Sequence, residues 1–115
     1  MSIKIITYNC QSVNVNYDII KILTKDCDIL LLQETLLSDN NQYFLNDIND
    51  DFNYAHVPAV RKASTFVGRA SGGLAVLWRK FNNIKIYSLY FTDRIMGLKL
   101  DFNEISYLII NVYCI

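Results

Sequence analysis

Proline and glycine are nearly missing from this chain. Pro58 is its single proline, and four glycines are spread over 115 residues. That composition leaves no room for a flexible linker or a low-complexity tract. Cysteine is scarce and odd in number: Cys10, Cys27 and Cys114, with no CxxC spacing. Such a set argues against a disulfide scaffold or a zinc knuckle, and the expected compartment is reducing and intracellular. Cys27, just before an apolar run, reads as a small core hydrophobe rather than a nucleophile. Long hydrophobic stretches are absent too. Asp, Asn or Lys interrupts every apolar run before the roughly 18 residues that a membrane helix needs, so no membrane partner is expected. Met1-Ser2-Ile3-Lys4 also lacks the charged-then-apolar order of a signal peptide.

Net charge of either sign is missing as well, with 11 basic and 11 acidic residues. The balance hides a division. Residues 1–60 carry eight acidic and three basic side chains, and residues 61–115 carry three acidic and eight basic ones. This asymmetry permits an anionic partner on one face; Lys and Arg on solvated sheet faces and loops would produce the same count. What the chain does have is apolar residues, 52% against 19% charged. That composition builds one ordinary-sized domain with a core, and 115 residues do not suffice for two.

The pattern of those residues predicts an α+β fold. Ile3 to Tyr8 reads as a strand, followed by a polar loop from Cys10 to Asn16. Asn16 can cap a helix with Asp18 in its first turn and an Ile19, Ile20, Leu23 stripe, ending near Lys25. Asp28 to Gln33 follows as a second strand, parallel to the first. Leu36 to Asn53 is polar and irregular, with Tyr43, Phe44 and Ile48 on one side of a short helix. Tyr54 to Val57 is a third strand. A basic loop, 58–71, precedes Gly73, after which strand follows strand: Leu74–Trp78, Ile84–Tyr90, Ile95–Leu100 and Ile105–Tyr113. Asn82-Asn83 and Asp101-Phe102-Asn103 fit hairpin connections. A helix-linked pair followed by a meander implies one mostly antiparallel mixed sheet with one or two helices on one face. The last strand is apolar on both faces and is therefore expected to be central. The chain stops at its end, and a missing remainder beyond Ile115 is the expectation.

One carboxylate stands out. Asp28-Ile29-Leu30-Leu31-Leu32 is a strand buried on both faces, and Gln33-Glu34-Thr35 ends it, placing Glu34 at its carboxyl end. Ligands bind at that edge of open α/β sheets. The first strand ends in the same fashion at Asn9.

Four segments in order, Thr7-Tyr8-Asn9, Leu31-Leu32-Gln33-Glu34-Thr35, Ser71-Gly72-Gly73-Leu74-Ala75-Val76-Leu77 and Asn111-Val112-Tyr113, resemble the endonuclease/exonuclease/phosphatase superfamily of DNase I-like and apurinic-endonuclease-like folds. Gly68-Arg69-Ala70-Ser71-Gly72-Gly73 is most similar to the endonuclease domains of non-LTR (LINE-type) retrotransposons. The resemblance implies half of a DNase I-like α/β sandwich, the N-terminal part of the domain. It makes Glu34 a Mg²⁺ ligand, Asn9 an orienting group at the attacked phosphate, and Tyr113 a hydroxyl donor to a phosphate oxygen. It also implies DNA as the partner and a nuclear location if the enzyme serves a eukaryotic retrotransposon; Arg61, Lys62 and Arg69 then read either as phosphate contacts that position DNA or as a solvated basic loop. Departures accompany the match. Gln11 falls where several relatives carry Asp, and the family's later Gly-Asp-Phe-Asn and Ser-Asp-His motifs do not occur. Asp101-Phe102-Asn103 precedes Tyr113 and follows Leu100, so it reads as a turn. His56 lies too early to be the terminal histidine and reads as a partly exposed structural residue. The expectation is a fragment of a Mg²⁺-dependent DNA endonuclease, with activity of this piece alone doubtful. Two alternatives remain open: an inositol-phosphate or phospholipid phosphatase of the same fold, and a non-catalytic truncated product.

Overall fold

Ile29, Leu30, Leu31 and Leu32 set the middle layer of the protein, because all four are buried and successive side chains point to opposite faces. The computed structural model describes residues 2–60, 71–80 and 83–113. In chain order the elements are β1 (Ile5–Asn9), α1 (Tyr17–Thr24), β2 (Ile29–Gln33), a 3-10 turn (Gln42–Leu45), β3 (Phe52–Val57), β4 (Leu74–Arg79), β5 (Lys85–Phe91), β6 (Ile95–Phe102) and β7 (Ile105–Val112). β1 runs parallel to β2, and β4 pairs antiparallel with both β2 and β3, giving the order β1-β2-β4-β3. The remaining strands form a second, antiparallel sheet in the order β5-β6-β7.

The described strands therefore make two sheets where the sequence pattern suggested one. β4 pairs with β2 and β3 while β5 pairs with β6, so Asn82-Asn83 joins two sheets rather than two strands of a hairpin. Asn82 itself lies outside the described residues; Asn83 has φ 53°. The β6–β7 connection is a true hairpin. Phe102 pairs with Ile105, and Asn103 and Glu104 both have positive φ, 52° and 65°. That is the two-residue geometry that matches strand twist.

Two cores result. Leu30, Leu32, Ala75 and Leu77 face a layer made by Ile20 of α1, Leu45 and Ile48. Ile29, Leu31, Leu74 and Val76 face Met96, Leu98 and Leu100 of β6 across the gap between the sheets. Burying a side chain of this size contributes roughly 1.5–3 kcal/mol, so β2 and β4, which feed both cores, anchor the architecture. Cys27 belongs to the first core. Burial pushes its thiol up to about 11, which fits a packing role and not a nucleophile.

Local signals were satisfied in unexpected ways. Asn16 makes no side-chain cap on α1; its Nδ2 donates to the Cys10 carbonyl at 2.6 Å. The buried stripe of α1 is Ile20 and Thr24, while Ile19 is 46% exposed. Arg79 does not contribute to a free basic face. Its guanidinium donates to the carbonyls of Thr24 and Cys27 at 2.9 and 2.8 Å and lies 4.7 Å from the Phe52 ring. It thereby satisfies the orphan carbonyls where α1 ends.

β7 is not the covered central strand that its sequence suggested. Among the described residues it stands at the edge of its sheet, and Leu108 and Ile110, facing away from the core, are 67% and 55% exposed. Along the open side of the sandwich, Ile3 and Ile5 from the β1 side and Leu100, Phe102, Tyr107 and Ile109 from the second sheet line an apolar groove of about 420 Å³. Eight uncharged residues in succession on an unpaired edge form a template for another strand.

Candidate active site

The parallel register of β1 and β2 pairs Asn9 with Gln33, so the two strand ends that carry Asn9 and Glu34 lie side by side. Past the ends the two chains stay together. The backbone N–H groups of Cys10, Ser12 and Val13 donate to the carbonyls of Gln33, Glu34 and Thr35 at 3.0, 2.8 and 3.0 Å. On the other side, the N–H groups of Thr35 and Leu36 donate to the carbonyls of Gly73 and Gly72 at 3.1 and 3.0 Å. Glu34 is thus clamped between the loop after β1 and the glycines before β4. The clamp holds a conformation that Glu does not favour: φ is 56° at Glu34 and again 56° at Leu36. A left-handed residue of this kind costs roughly 1–2 kcal/mol and persists only where surrounding contacts over-determine it.

Tyr113 reaches the same place from the second sheet. Its N–H donates to the Arg94 carbonyl at 2.8 Å, and its ring lies over Gly72, where an added Cβ would sit 3.5 Å from Cδ2 and Cε2. Gly72 is bonded to Leu36, two residues from Glu34. All three residues expected from sequence therefore converge on one end of the gap between the sheets: Asn9 exposed, Glu34 and Tyr113 half-buried. Arg61, Lys62 and Arg69 lie outside the described residues.

Beneath these three is a buried polar group that the sequence marked only as part of a motif. Asn111 is 1% exposed. Its Nδ2 donates to the carbonyls of Leu32 and Ala75 at 3.1 and 3.0 Å, and its Oδ1 accepts from Gln33 Nε2 at 2.8 Å. Because carbonyls only accept, the orientation of the Asn111 amide is fixed by its partners. Gln33 Nε2 donates again to Thr7 Oγ1 at 2.9 Å. The available signal was a lone Asn inside Leu108-Ile109-Ile110-Asn111-Val112, since a polar side chain in a buried run must find partners.

Cys10 supports the site without joining its chemistry. It is fully buried, with Sγ 3.4 and 3.5 Å from the carbonyls of Gln33 and Glu34. Burial pushes its thiol up to about 11, so it stays a protonated donor. His56 is also occupied elsewhere. Its Nε2 lies 3.3 Å from Asp39 Oδ1, its side chain is 8% exposed, and its buried Nδ1 has no partner among the described residues. Burial lowers its pKa below the ordinary 6.5 despite the opposing pull of Asp39. A histidine depressed in the folded state stabilises fully above about pH 6.5 and loses that stabilisation as pH falls below it. Thermal melts should therefore show a steeper decline as pH falls below about 6.5 for the native chain than for His56→Gln. Parallel pH profiles would count against this assignment.

The donor set bears on metal binding. Among the described residues no three or more His, Cys, Asp or Glu side chains cluster to hold a metal ion. Glu34 offers one hard carboxylate donor beside the strand end that carries Asn9. That suits Mg²⁺, which keeps most of its waters and needs only one or two carboxylates.

Comparison with known proteins settles the family. The model of the endonuclease/exonuclease/phosphatase family matches residues 6–115. The chain belongs to that family. Among solved structures, the AP endonuclease LMAP from Leishmania major is similar at TM-score 0.69 and 17% identity, over 96% of this chain and 40% of that one. The 3′ phosphatase NExo from Neisseria, bound to a product DNA hairpin, gives 0.66 and 20%, over 98% and 42%. The endonuclease domain of TRAS1, a telomere-specific non-LTR retrotransposon, gives 0.67 and 12%, over 98% and 46%. The chain spans less than half the length of each. No match is found among the curated proteins. These likenesses bear out the α+β, DNase I-like half-sandwich and the resemblance to nucleases that include a retrotransposon endonuclease.

Proposed function

We propose that this chain is the N-terminal half of a Mg²⁺-dependent phosphodiesterase that nicks DNA. The observation that carries the reading is the convergence of Asn9, Glu34 and Tyr113 on one mouth of the inter-sheet gap, with Glu34 held in a left-handed conformation. Glu34 would hold the ion through one carboxylate and waters, with the Asn9 amide beside it. When bound, the ion supplies charge stabilisation to a phosphoryl oxygen and to the departing 3′ oxygen. Asn9 orients the scissile phosphate. Tyr113 donates its hydroxyl to a phosphate oxygen, where a neutral donor helps as negative charge grows. Arg61, Lys62 and Arg69, in the basic segment that precedes Gly72 in the sequence, contact phosphates without reading sequence.

His56, engaged by Asp39 at 3.3 Å, is not the group that activates the attacking water. The general base is supplied by the remainder of the domain beyond Ile115, whose strands cover the β7 edge and the groove beside it. Support comes from the exposed apolar residues there and from neighbours more than twice as long. The test is conversion of supercoiled plasmid to nicked circles, comparing this chain with one extended by its downstream sequence. Mg²⁺-dependent nicking by the extended chain, lost on chelation, is expected, with Tyr113→Phe reducing it about 10²-fold. Phosphate release from inositol phosphates without nicking would favour the phosphatase reading. Neither activity from the extended chain would leave a non-catalytic product.

A further inference from the structure

The carboxamide of Gln33 stands at a junction. Gln33 precedes Glu34 by one residue. Thr7, to which it donates, precedes Asn9 by two, and Asn111, to which it also donates, precedes Tyr113 by two. The strands that deliver the three site residues are thus bonded to one side chain a single residue or pleat below the site. Strand alternation makes the arrangement consistent. Thr7 and Asn9 share a face of β1, Asn111 and Tyr113 continue one face of β7, and both faces look into the gap between the sheets. Deeper in the gap the contacts are apolar and could slide. The Gln33–Asn111 bond is directional and joins β2 of one sheet to β7 of the other at 2.8 Å.

Asn111 adds a second constraint. Leu32 and Ala75 are cross-strand partners in β2 and β4, and Asn111 Nδ2 bonds both carbonyls. β7 is therefore pinned over one rung of the ladder two residues from Gly73. A slip of β7 along the first sheet would break three bonds to a buried amide at once. Tyr113 and Glu34 belong to different sheets and touch through no direct bond, so their separation depends on what fixes one sheet on the other.

We propose that Gln33, with Asn111 and Thr7 as its partners, is the positioning element of this site, fixing the Tyr113 hydroxyl and the Asn9 amide relative to the Glu34 carboxylate. The inference rests on the reading of those three residues as the active site. Gln33 acts through them and touches no substrate. Hydrogen-bond partners of metal ligands change metal affinity by about 10–100-fold; Gln33, bonded to Thr7 and Asn111 rather than to Glu34, should act at the low end of that range.

The test uses the isolated chain and NMR. Gln33→Met keeps the length and removes the amide at a half-buried position, where the fold should tolerate it. Thr7→Val removes one acceptor while retaining shape and strand propensity, and Thr7→Ser restores the hydroxyl. Mn²⁺ is titrated as the probe, its affinity read from broadening of the Glu34 amide. A metal-free readout is the nuclear Overhauser contact between the Tyr113 ring and the Gly72 α-protons, since a Cβ on Gly72 would stand 3.5 Å from Tyr113 Cδ2 and Cε2. Gln33→Met is expected to weaken Mn²⁺ binding about 10-fold and to lose the Tyr113–Gly72 contact while remaining folded. Thr7→Val should show a smaller loss, recovered in Thr7→Ser. A folded Gln33→Met chain that keeps both the affinity and the contact overturns the proposal. If Mn²⁺ broadens nothing near Glu34 in the native chain, the metal reading fails, and the Tyr113–Gly72 contact alone decides the positioning role.

Discussion

Glu34→Gln is expected to reduce Mg²⁺-dependent nicking by about 10³-fold or more without unfolding the chain. The magnitude follows from what the carboxylate is asked to supply. A metal that neutralises developing phosphoryl charge contributes several kcal/mol to the transition state, and about 4 kcal/mol corresponds to 10³ in rate. An amide is a poor ligand for a hard cation that already prefers water and carboxylate. The fold should survive because Gln occupies the same volume and its backbone would be held by the same clamp: the Ser12 N–H on its carbonyl at 2.8 Å and the Gly72 and Gly73 carbonyls on the next two N–H groups. The comparison uses plasmid nicking by the chain extended with its downstream sequence, with melting curves of both proteins alongside. Nicking that persists at the native rate in a folded Glu34→Gln protein would remove Glu34 from the mechanism. A protein that loses nicking and also melts early would show only that the carboxylate supports the turn.

The parts of the architecture that depend on local periodicity could be read from the sequence. The run Ile29-Leu30-Leu31-Leu32 has no polar face, so it could only be a strand buried on both sides, and it is. The β6–β7 hairpin was legible for a similar reason, since Asn103 tolerates the left-handed turn that the strands require. What failed was information held at a distance. Asn82-Asn83 announces a reversal but says nothing about which sheet the next strand joins. Apolar residues on both faces of β7 state that something should cover it, not that anything within these residues does. Of the site, Glu34, Asn9 and Tyr113 were visible as strand-end residues in the right order. The left-handed backbone at Glu34 was not, because such a conformation is ordinarily announced by Gly or Asn. Here it is imposed on Glu by hydrogen bonds from loops about 20 and about 40 residues away along the chain. Arg79 was legible only as one of eight basic residues in the second half of the chain, since its partners are carbonyls in α1 and the turn after it.

Gly73→Ala should be among the most damaging single-atom additions the chain can receive. Gly73 has φ +90°, where a Cβ is strained in any setting. The added carbon would also overlap Thr35 Oγ1 and lie 3.3 Å from the backbone nitrogens of both Ala59 and Leu36. Thr35 is 1% exposed, so it has nowhere to swing. The backbone strain costs about 1–2 kcal/mol and the overpacking a further 1–3 kcal/mol, a large fraction of the 5–15 kcal/mol typical of a domain. A fall in melting temperature of about 10–20 °C is expected. Gly72→Ala provides the control. Its φ is +82°, but its Cβ would meet only the Tyr113 ring at an ordinary 3.5 Å, so it should bear the backbone cost alone and melt within about 10 °C of the native chain. The two variants also separate fold from site. Gly73 bonds Thr35, the neighbour of Glu34, and relief of the overlap must move that segment; Gly72→Ala instead presses on Tyr113. Gly73→Ala should therefore disturb the Glu34 amide resonance most, and Gly72→Ala the Tyr113 ring signals. Equal melting temperatures for the two would mean that Thr35 yields to the added methyl group, and that the turn holding Glu34 is looser than its hydrogen bonds imply.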